Sequence, residues 1–188
     1  MPGPDPLRRD QRARQAVLDA AWELLAADGW GGISVDRIAV RAGVGKQTVY
    51  RWWRGKGEVV LEAFLARSPR ETGEPLTGEL ELVLRELARR FVRLYAGTLL
   101  GDRLRELLGA AQHDPELAGA VRERWFRPRR EPVRLALAFS GLDARLDAEA
   151  VLDLLFGPLH YRLLTGHGPL DRDYADAVAG LVSRAVRG

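Results

Sequence analysis

An all-α protein is predicted for these 188 residues, on three observations. Apolar residues recur three and four apart through every long segment, which is the period of a helix with one buried face. No run alternates apolar and polar residues at the two-residue period of a strand over a useful length. A stretch rich in Pro, Gly, Ser and Thr, RSPRETGEPLTG from Arg67 to Gly78, separates a head (1–66) from a helical body (67–188).

The head begins with a helix expected from about Leu7 or Arg8 to Ala27. Ala13, Val17, Ala20, Ala21, Leu24 and Leu25 form its buried stripe, and Asp28-Gly29 ends it. Trp30 and Ile33 cover the exit, with Gly31-Gly32 as a turn between them. Ser34 is placed to N-cap a short helix with Asp36 in its first turn. Val35, Ile38 and Ala42 mark the inner face of that helix, and Gly43 can take the positive φ that stops it. Val44 and Gly45 reset the chain before a second short helix, about Lys46 to Trp53. Two short helices across a glycine-containing turn outline a helix-turn-helix. Gly55-Lys56-Gly57 then leads into a helix with Val59, Val60, Ala63 and Phe64 inward.

In the body a long helix is expected over about Glu79–Leu100, with Leu80, Leu84, Leu87, Phe91, Leu94 and Tyr95 on one face. Gly101-Asp102 is read as its break, and a short helix follows to about Gln112. Asp114-Pro115 starts another, with Leu117, Val121, Trp125 and Phe126 inward; Pro128 and Pro132 are expected to kink or split it before Gly141. Asp147 to about Leu164 carries Val151, Leu152, Leu155, Phe156, Leu159 and Leu163, with a kink expected at Gly157-Pro158. After the turn Thr165–Leu170, Asp171–Val186 completes the chain.

Composition narrows the function. An apolar content of 46% with 29% charged residues is that of a soluble globular protein. The absence of cysteine excludes disulfides and thiolate chemistry. No apolar run approaches the roughly 20 residues of a membrane span. MPGPDPLRRDQRAR lacks the apolar core of a signal peptide and reads as a disordered basic arm, so a cytoplasmic protein is expected. The net charge of +3 sits in the first 68 residues, where eleven Lys and Arg face eight acids. A surplus placed there suits nucleic acid, with Arg8–Arg14 either adding phosphate or minor-groove contacts or acting as a solubilising tail.

The second short helix divides its faces. Val49 and Trp53, four apart, would pack on the first helix, while Gln47, Arg51 and Arg54 point away, flanked by Thr48 and Tyr50. Glutamine can read adenine bidentately in the major groove, and arginine can read guanine or hold phosphate. Lys46, Thr48 and Tyr50 suit phosphate oxygens. No acid falls between Asp36 and Glu58, whereas Arg37, Arg41, Lys46, Arg51, Arg54 and Lys56 do. Lys56 opens the following helix, where free N–H groups favour a phosphate. Ser34, Arg37, Lys46, Gln47, Thr48, Tyr50, Arg51, Trp52, Arg54 and Lys56 are therefore the candidate contacts to double-stranded DNA.

The segment Arg14–Phe64, with its LDAAWELLAADGW helix and exit, S-V-D-x-I-A-x-x-A-G-V core and T-V-Y reading helix, resembles the N-terminal domain of TetR-type transcriptional repressors. The resemblance implies a three-helix DNA-binding head, an all-α ligand-binding and dimerisation body, and repression relieved by a small molecule. This chain has Gly45 and Gly55 where many members have serine, and Trp52-Trp53 where histidine-phenylalanine is common. The larger Trp52 could press its indole N–H against a phosphate. LLFGPLHYRLLTGHGPL resembles the tail of many such bodies, where two helices pair with their copies in a four-helix interface. That assigns Leu152, Leu155, Phe156, Leu159, Leu163, Tyr174, Val178, Leu181 and Val182 to a homodimer interface; a helical hairpin within one chain is the alternative. A two-fold pair also suits a motif that reads one half-site at a time. Phe91, Tyr95, Leu104, Leu108, Trp125, Phe126 and Phe156 are candidates to line an effector pocket for a fairly hydrophobic ligand, or else are plain core.

None of His113, His160 and His167 has metal-ligand spacing, and GxGxxG, P-loop and GxSxG patterns are missing. No cofactor and no enzyme activity are expected. The resulting reading is a dimeric, ligand-released repressor on a pseudo-palindromic operator. The alternatives are a ligand-independent activator and a helical binding protein that does not read DNA.

Overall fold

The structure, a computed structural model, describes residues 6–69 and 76–187. Expectations for Met1–Asp5 and for the middle of the Pro/Gly-rich boundary (70–75) fall outside the described residues. Every regular element among the described residues is helical. The order is α1 (Pro6–Asp28), a 3-10 turn (Trp30–Gly32), α2 (Val35–Ala42), α3 (Lys46–Trp52), α4 (Lys56–Arg67), α5 (Leu80–Tyr95) and α6 (Leu99–Ala111). Then come α7 (Pro115–Val121), a π-helical turn (Arg122–Phe126), α8 (Arg127–Phe139), α9 (Ala148–Thr165) and α10 (Arg172–Arg187). The all-α class is as the periodicity predicts.

Three local expectations are corrected. The first helix, expected from about Leu7 or Arg8, begins at Pro6, a residue well suited to a first helical turn, so Arg9, Arg12 and Arg14 ride on α1 and the disordered-arm reading of the same stretch does not hold from Pro6 on. The long helix of the body stops at Tyr95 rather than at Gly101-Asp102. The chain turns at Gly97, whose φ of 63° is left-handed. Thr98 then starts α6, its Oγ1 accepting from the Gly101 N–H at 3.1 Å. Gly101 lies inside α6 for a different reason: a Cβ there would stand 1.8 Å from the Tyr95 carbonyl oxygen. Finally, α9 runs unbroken through Gly157-Pro158. Pro132 is likewise carried inside α8, while Pro128 falls in its first turn, after the widened π turn.

The chain forms two compact units, one of Met1–Pro69 with Glu106–Val121, the other of Arg70–Arg105 with Arg122–Gly188. In the first, α1 packs on α2 and α4, α2 on α3, and α4 on α7. Its core holds Val17, Ala21, Leu25, Ile38, Val49, Val59, Leu61 and Phe64, all nearly or wholly buried. The close α4–α7 approach shows at Gly57, where a Cβ would stand 3.4 Å from both methyls of Leu117. The Trp30 N–H, in the turn after α1, donates to Glu106 Oε2 at 2.9 Å.

In the second unit α5 packs on α10, α9 and α8, with α9 also against α8 and α10. Leu84, Leu87, Leu137, Leu152, Leu155 and Leu159 fill the centre. The α5–α10 contact is pinned by Arg89, which grips Asp176 with two hydrogen bonds of 2.6 Å. This fork-to-fork pairing, and the nearby Arg85, hold the Asp176 carboxyl below the ordinary aspartate range. No described helix is long and apolar enough to cross a membrane.

Candidate nucleic-acid interface and effector cluster

The reading helix is held by its inner face. Val49 is fully buried, and Trp53, just past the helix, is inward as the spacing predicts. The Trp53 indole N–H donates to Glu62 Oε2 at 3.0 Å on α4, and Arg14 of α1 pairs with the same carboxylate. Three helices thus meet at one carboxylate that fixes how far α3 stands from α1 and α4. Ser34 caps α2 as expected, its Oγ accepting from Arg37 N at 3.2 Å, and Gly43 closes that helix with φ 67°. Gly45 and Gly55 supply no side-chain cap, but Glu58 accepts from the Arg54 N–H at 2.9 Å and secures the entry to α4.

Gln47, Tyr50, Arg51 and Arg54 are exposed along α3 and its exit, with Thr48 half-buried beside them. Several of the cations are already neutralised within the chain. Arg37 pairs with Asp28 at 2.6 Å, Lys46 with Asp36, and Arg51 with Asp10 at 2.8 Å. The Arg51 guanidinium also lies 4.6 Å from the centre of the Trp52 ring, so Trp52 supports an arginine rather than standing apart from it. These pairs are solvent-exposed and weak, so a polyanion can displace the carboxylates at small cost. Lys56 is different. Its ammonium donates to the carbonyls of Trp30 and Ile33, both at 3.3 Å, and sits 4.9 Å over the Trp30 ring. It ties the exit of α1 to the start of α4, and the structure gives it an internal task where the sequence suggested a phosphate.

In the body, the expected pocket residues divide. Phe91, Tyr95, Trp125, Phe126 and Phe156 come together, with ring centres 4.4 to 6.3 Å apart in neighbouring pairs. Leu104 is buried in the second unit, whereas Leu108 belongs to the first. His160, which the sequence offered no reason to include, joins the cluster, 4.7 Å from Phe91 and 5.8 Å from Trp125. The signal available was its position one turn after Phe156, on the same face of α9.

The expected interface residues need correction. Leu152, Leu155, Leu159, Leu163, Val178 and Val182 are core of their own chain, because the strongest apolar stripe of α9 and α10 faces α5 and α8. Phe156 turns to Phe91, and Tyr174 is covered by the Arg162 guanidinium, 3.3 Å from its ring centre. Of that set only Leu181 is widely open, at 61%. It continues a second, outward stripe: Leu154, Gly157, Tyr161 and Leu164 on α9, with Ala177 and Leu181 on α10. Sequence patterning favoured the denser stripe, which is the buried one.

Comparison with known proteins agrees with this architecture. Residues 17–63 match the family description "Bacterial regulatory proteins, tetR family", and residues 74–182 match "Tetracyclin repressor-like, C-terminal domain". The chain is 35% identical to the uncharacterized HTH-type transcriptional regulator YdeS of Bacillus subtilis, over 96% of this chain and 91% of that one. It is 30% identical to the DNA-binding transcriptional repressor TetR of Mycobacteroides abscessus, over 87% of each. Among solved structures, the TetR family transcription regulator SCO0332 superposes with a TM-score of 0.71 at 30% identity, covering 91% of this chain and 97% of that one. On the helix-turn-helix geometry, the helical body and these matches, the chain belongs to the TetR family of transcriptional regulators and is not an enzyme.

Proposed function

We propose that two copies of this chain read a pseudo-palindromic DNA operator in the cytoplasm and repress transcription until a small molecule binds the body. The observation that carries the DNA half is α3. Its inner face is locked by Val49, Trp53 and Glu62, and its outer face presents Gln47, Tyr50, Arg51 and Arg54. Gln47 is assigned to base reading, with Arg51 or Arg54 as a second base reader. Thr48, Tyr50, Lys46, Arg37 and Trp52 are assigned to the sugar-phosphate backbone, and Ser34 to placing the N-terminus of α2. A helix-turn-helix binds tightly when a two-fold partner occupies the neighbouring half-site, and the outward stripe from Leu154 to Leu181 is the surface assigned to that pairing.

Release follows from the continuity of the chain. Trp125 and Phe126 stand in the π turn that immediately follows α7, and α7 packs on α4, the last helix of the head. A ligand that moves the aromatic cluster therefore pulls on the support of α4, and by reciprocity DNA weakens ligand binding by the same factor. The test is selection of random duplex DNA on the purified protein, followed by sequencing. A two-fold symmetric enriched site is the expected result, and Gln47→Ala should change its sequence without abolishing it. Absence of any enriched site for a folded, dimeric protein at low salt would refute the reading.

A further inference from the structure

The aromatic cluster of the body contains an anomaly that plain core packing does not explain. The Tyr95 hydroxyl, the Trp125 indole nitrogen and the His160 Nε2 are all closed off from solvent and have no hydrogen-bond partner among the described residues. Tyr95 and Trp125 are themselves only 4% and 3% exposed. A buried polar group without a partner is costly, and three around one set of rings is far from ordinary. The Nε atoms of Arg130 and Arg162 are also buried without a hydrogen-bond partner, but those guanidiniums bond through their other nitrogens, to Asp153 and to the Pro169 carbonyl, whereas the three ring groups have no such second partner for the atom in question.

The donor and acceptor character of the three atoms can be assigned. His160 Nδ1 lies 2.9 Å from the Phe156 carbonyl oxygen, which can only accept, so Nδ1 carries the proton. In the neutral ring Nε2 then holds a bare lone pair and is an acceptor. Burial keeps the imidazole below its ordinary pKa, and the charge of Arg130 adds to that, so the ring stays neutral at neutral pH. Trp125 Nε1 is a donor only, and the Tyr95 hydroxyl is both. The Arg130 guanidinium is already committed to Glu149 and Asp153. The cluster therefore offers flat apolar walls, one acceptor, one donor and one group of either kind, while the Arg129 guanidinium, 5.4 Å from the Trp125 ring centre, is engaged by the Trp125 carbonyl oxygen at 3.2 Å.

We infer that this site takes a small, flat, uncharged aromatic molecule bearing a hydroxyl or similar group that donates to His160 Nε2 and accepts from Trp125 or Tyr95. The inference rests on the body being the effector-binding part and names the chemical class of its ligand. The π turn that carries Trp125 and Phe126 is the element that must give way to admit the ring, and such turns recur at functional sites because their hydrogen bonding is easily rearranged. A carboxylate would meet a lone pair at His160, and a cation would find no acid. Both are disfavoured by the cost of burying an unpaired charge.

The experiment is calorimetric titration of the purified 188-residue chain with 2-naphthol, naphthalene and 2-naphthoate at neutral pH. These share one ring system and differ in the group offered to His160. The expected result is 2-naphthol binding about tenfold or more tighter than either analogue. Tyr95→Phe and His160→Phe should each erase most of that advantage while leaving naphthalene affinity within about twofold. Tyr95→Phe, which removes only an orphaned polar atom, should leave the Tm of the free protein unchanged or raised. Equal affinity for all three probes would overturn the inference. So would an unchanged preference in both variants, or a fall in Tm on Tyr95→Phe, which would reveal an internal partner for the hydroxyl. Absence of any binding while operator DNA is still bound would sink this inference and leave DNA reading intact. Tight 2-naphthol binding that leaves DNA affinity unaltered would support the site and refute release by ligand.

Discussion

Leu181 gives the most direct test of the proposed pairing of two chains. The side chain is 61% exposed on α10, in line with the open stripe of α9. Full burial of a leucine side chain contributes about 2 kcal/mol, so covering the exposed part contributes roughly 1.2 kcal/mol in each chain. A two-fold interface contains the residue twice. Leu181→Ser should therefore weaken the dimer by a little over 2 kcal/mol, about fiftyfold in the dissociation constant. Sedimentation equilibrium over a concentration series measures this directly, and circular dichroism should show an unchanged helical content. Tyr161→Ser, at the same exposure, should behave alike. Leu159→Ser is the contrast: wholly buried, it should cost several kcal/mol of folding stability and lower Tm with no selective effect on pairing. An unchanged dissociation constant for Leu181→Ser and Tyr161→Ser would refute the outward stripe as the interface.

Further outcomes follow from other sites. Gly101→Ala forces a methyl within 1.8 Å of the Tyr95 carbonyl oxygen and should cost about 2 to 3 kcal/mol, seen as a lowered Tm. Gly109→Ala, in the same helix but with nothing within 4 Å, should stabilise by about 0.5 to 1 kcal/mol. Lys56→Met removes the tie to Trp30 and Ile33, so it should lower Tm while leaving the salt dependence of DNA binding unchanged; a slope smaller by one would instead make Lys56 a phosphate contact. Asp176 has its carboxyl held down first by the Arg89 hydrogen bonds, so its contribution to stability is full above the unfolded value near 4 and fades as pH falls through the lower folded value. Asp176→Asn should therefore cost about 1 to 2 kcal/mol at neutral pH, and its Tm should converge with that of the unaltered protein in acid.

The helices of the head were readable because each carries its own punctuation. Ser34, Asp36 and Gly43 start and stop α2 by local hydrogen bonds and one positive φ, and these do not depend on distant parts of the chain. The inward direction of Trp53 followed from its spacing to Val49. What failed was information held by tertiary contacts. Gly101 and Gly97 look alike in sequence, yet one permits a close approach of two backbones and the other makes the turn. Lys56 differs from its neighbouring cations only through two carbonyls supplied by the exit of α1. In α9 and α10 two apolar stripes compete, and which one is buried depends on where α5 and α8 lie. The sequence shows only that His160 lacks metal-ligand spacing, because a lone histidine acquires its character from the rings around it.

The packing of α7 on α4 bears on how regulators of this kind can be recombined. The helix that supports the head is encoded some fifty residues after it, and Leu117 has been fitted to the bare backbone of Gly57. A hybrid joined after residue 67 would set one parent's α4 against the other's α7. Steric mismatch at that seam would then report as a sensor locked on or off, although each parental half is intact. Grafts that transfer Glu106–Val121 together with the N-terminal segment keep the fitted pair in one hand, so the natural unit of exchange is discontinuous in the gene.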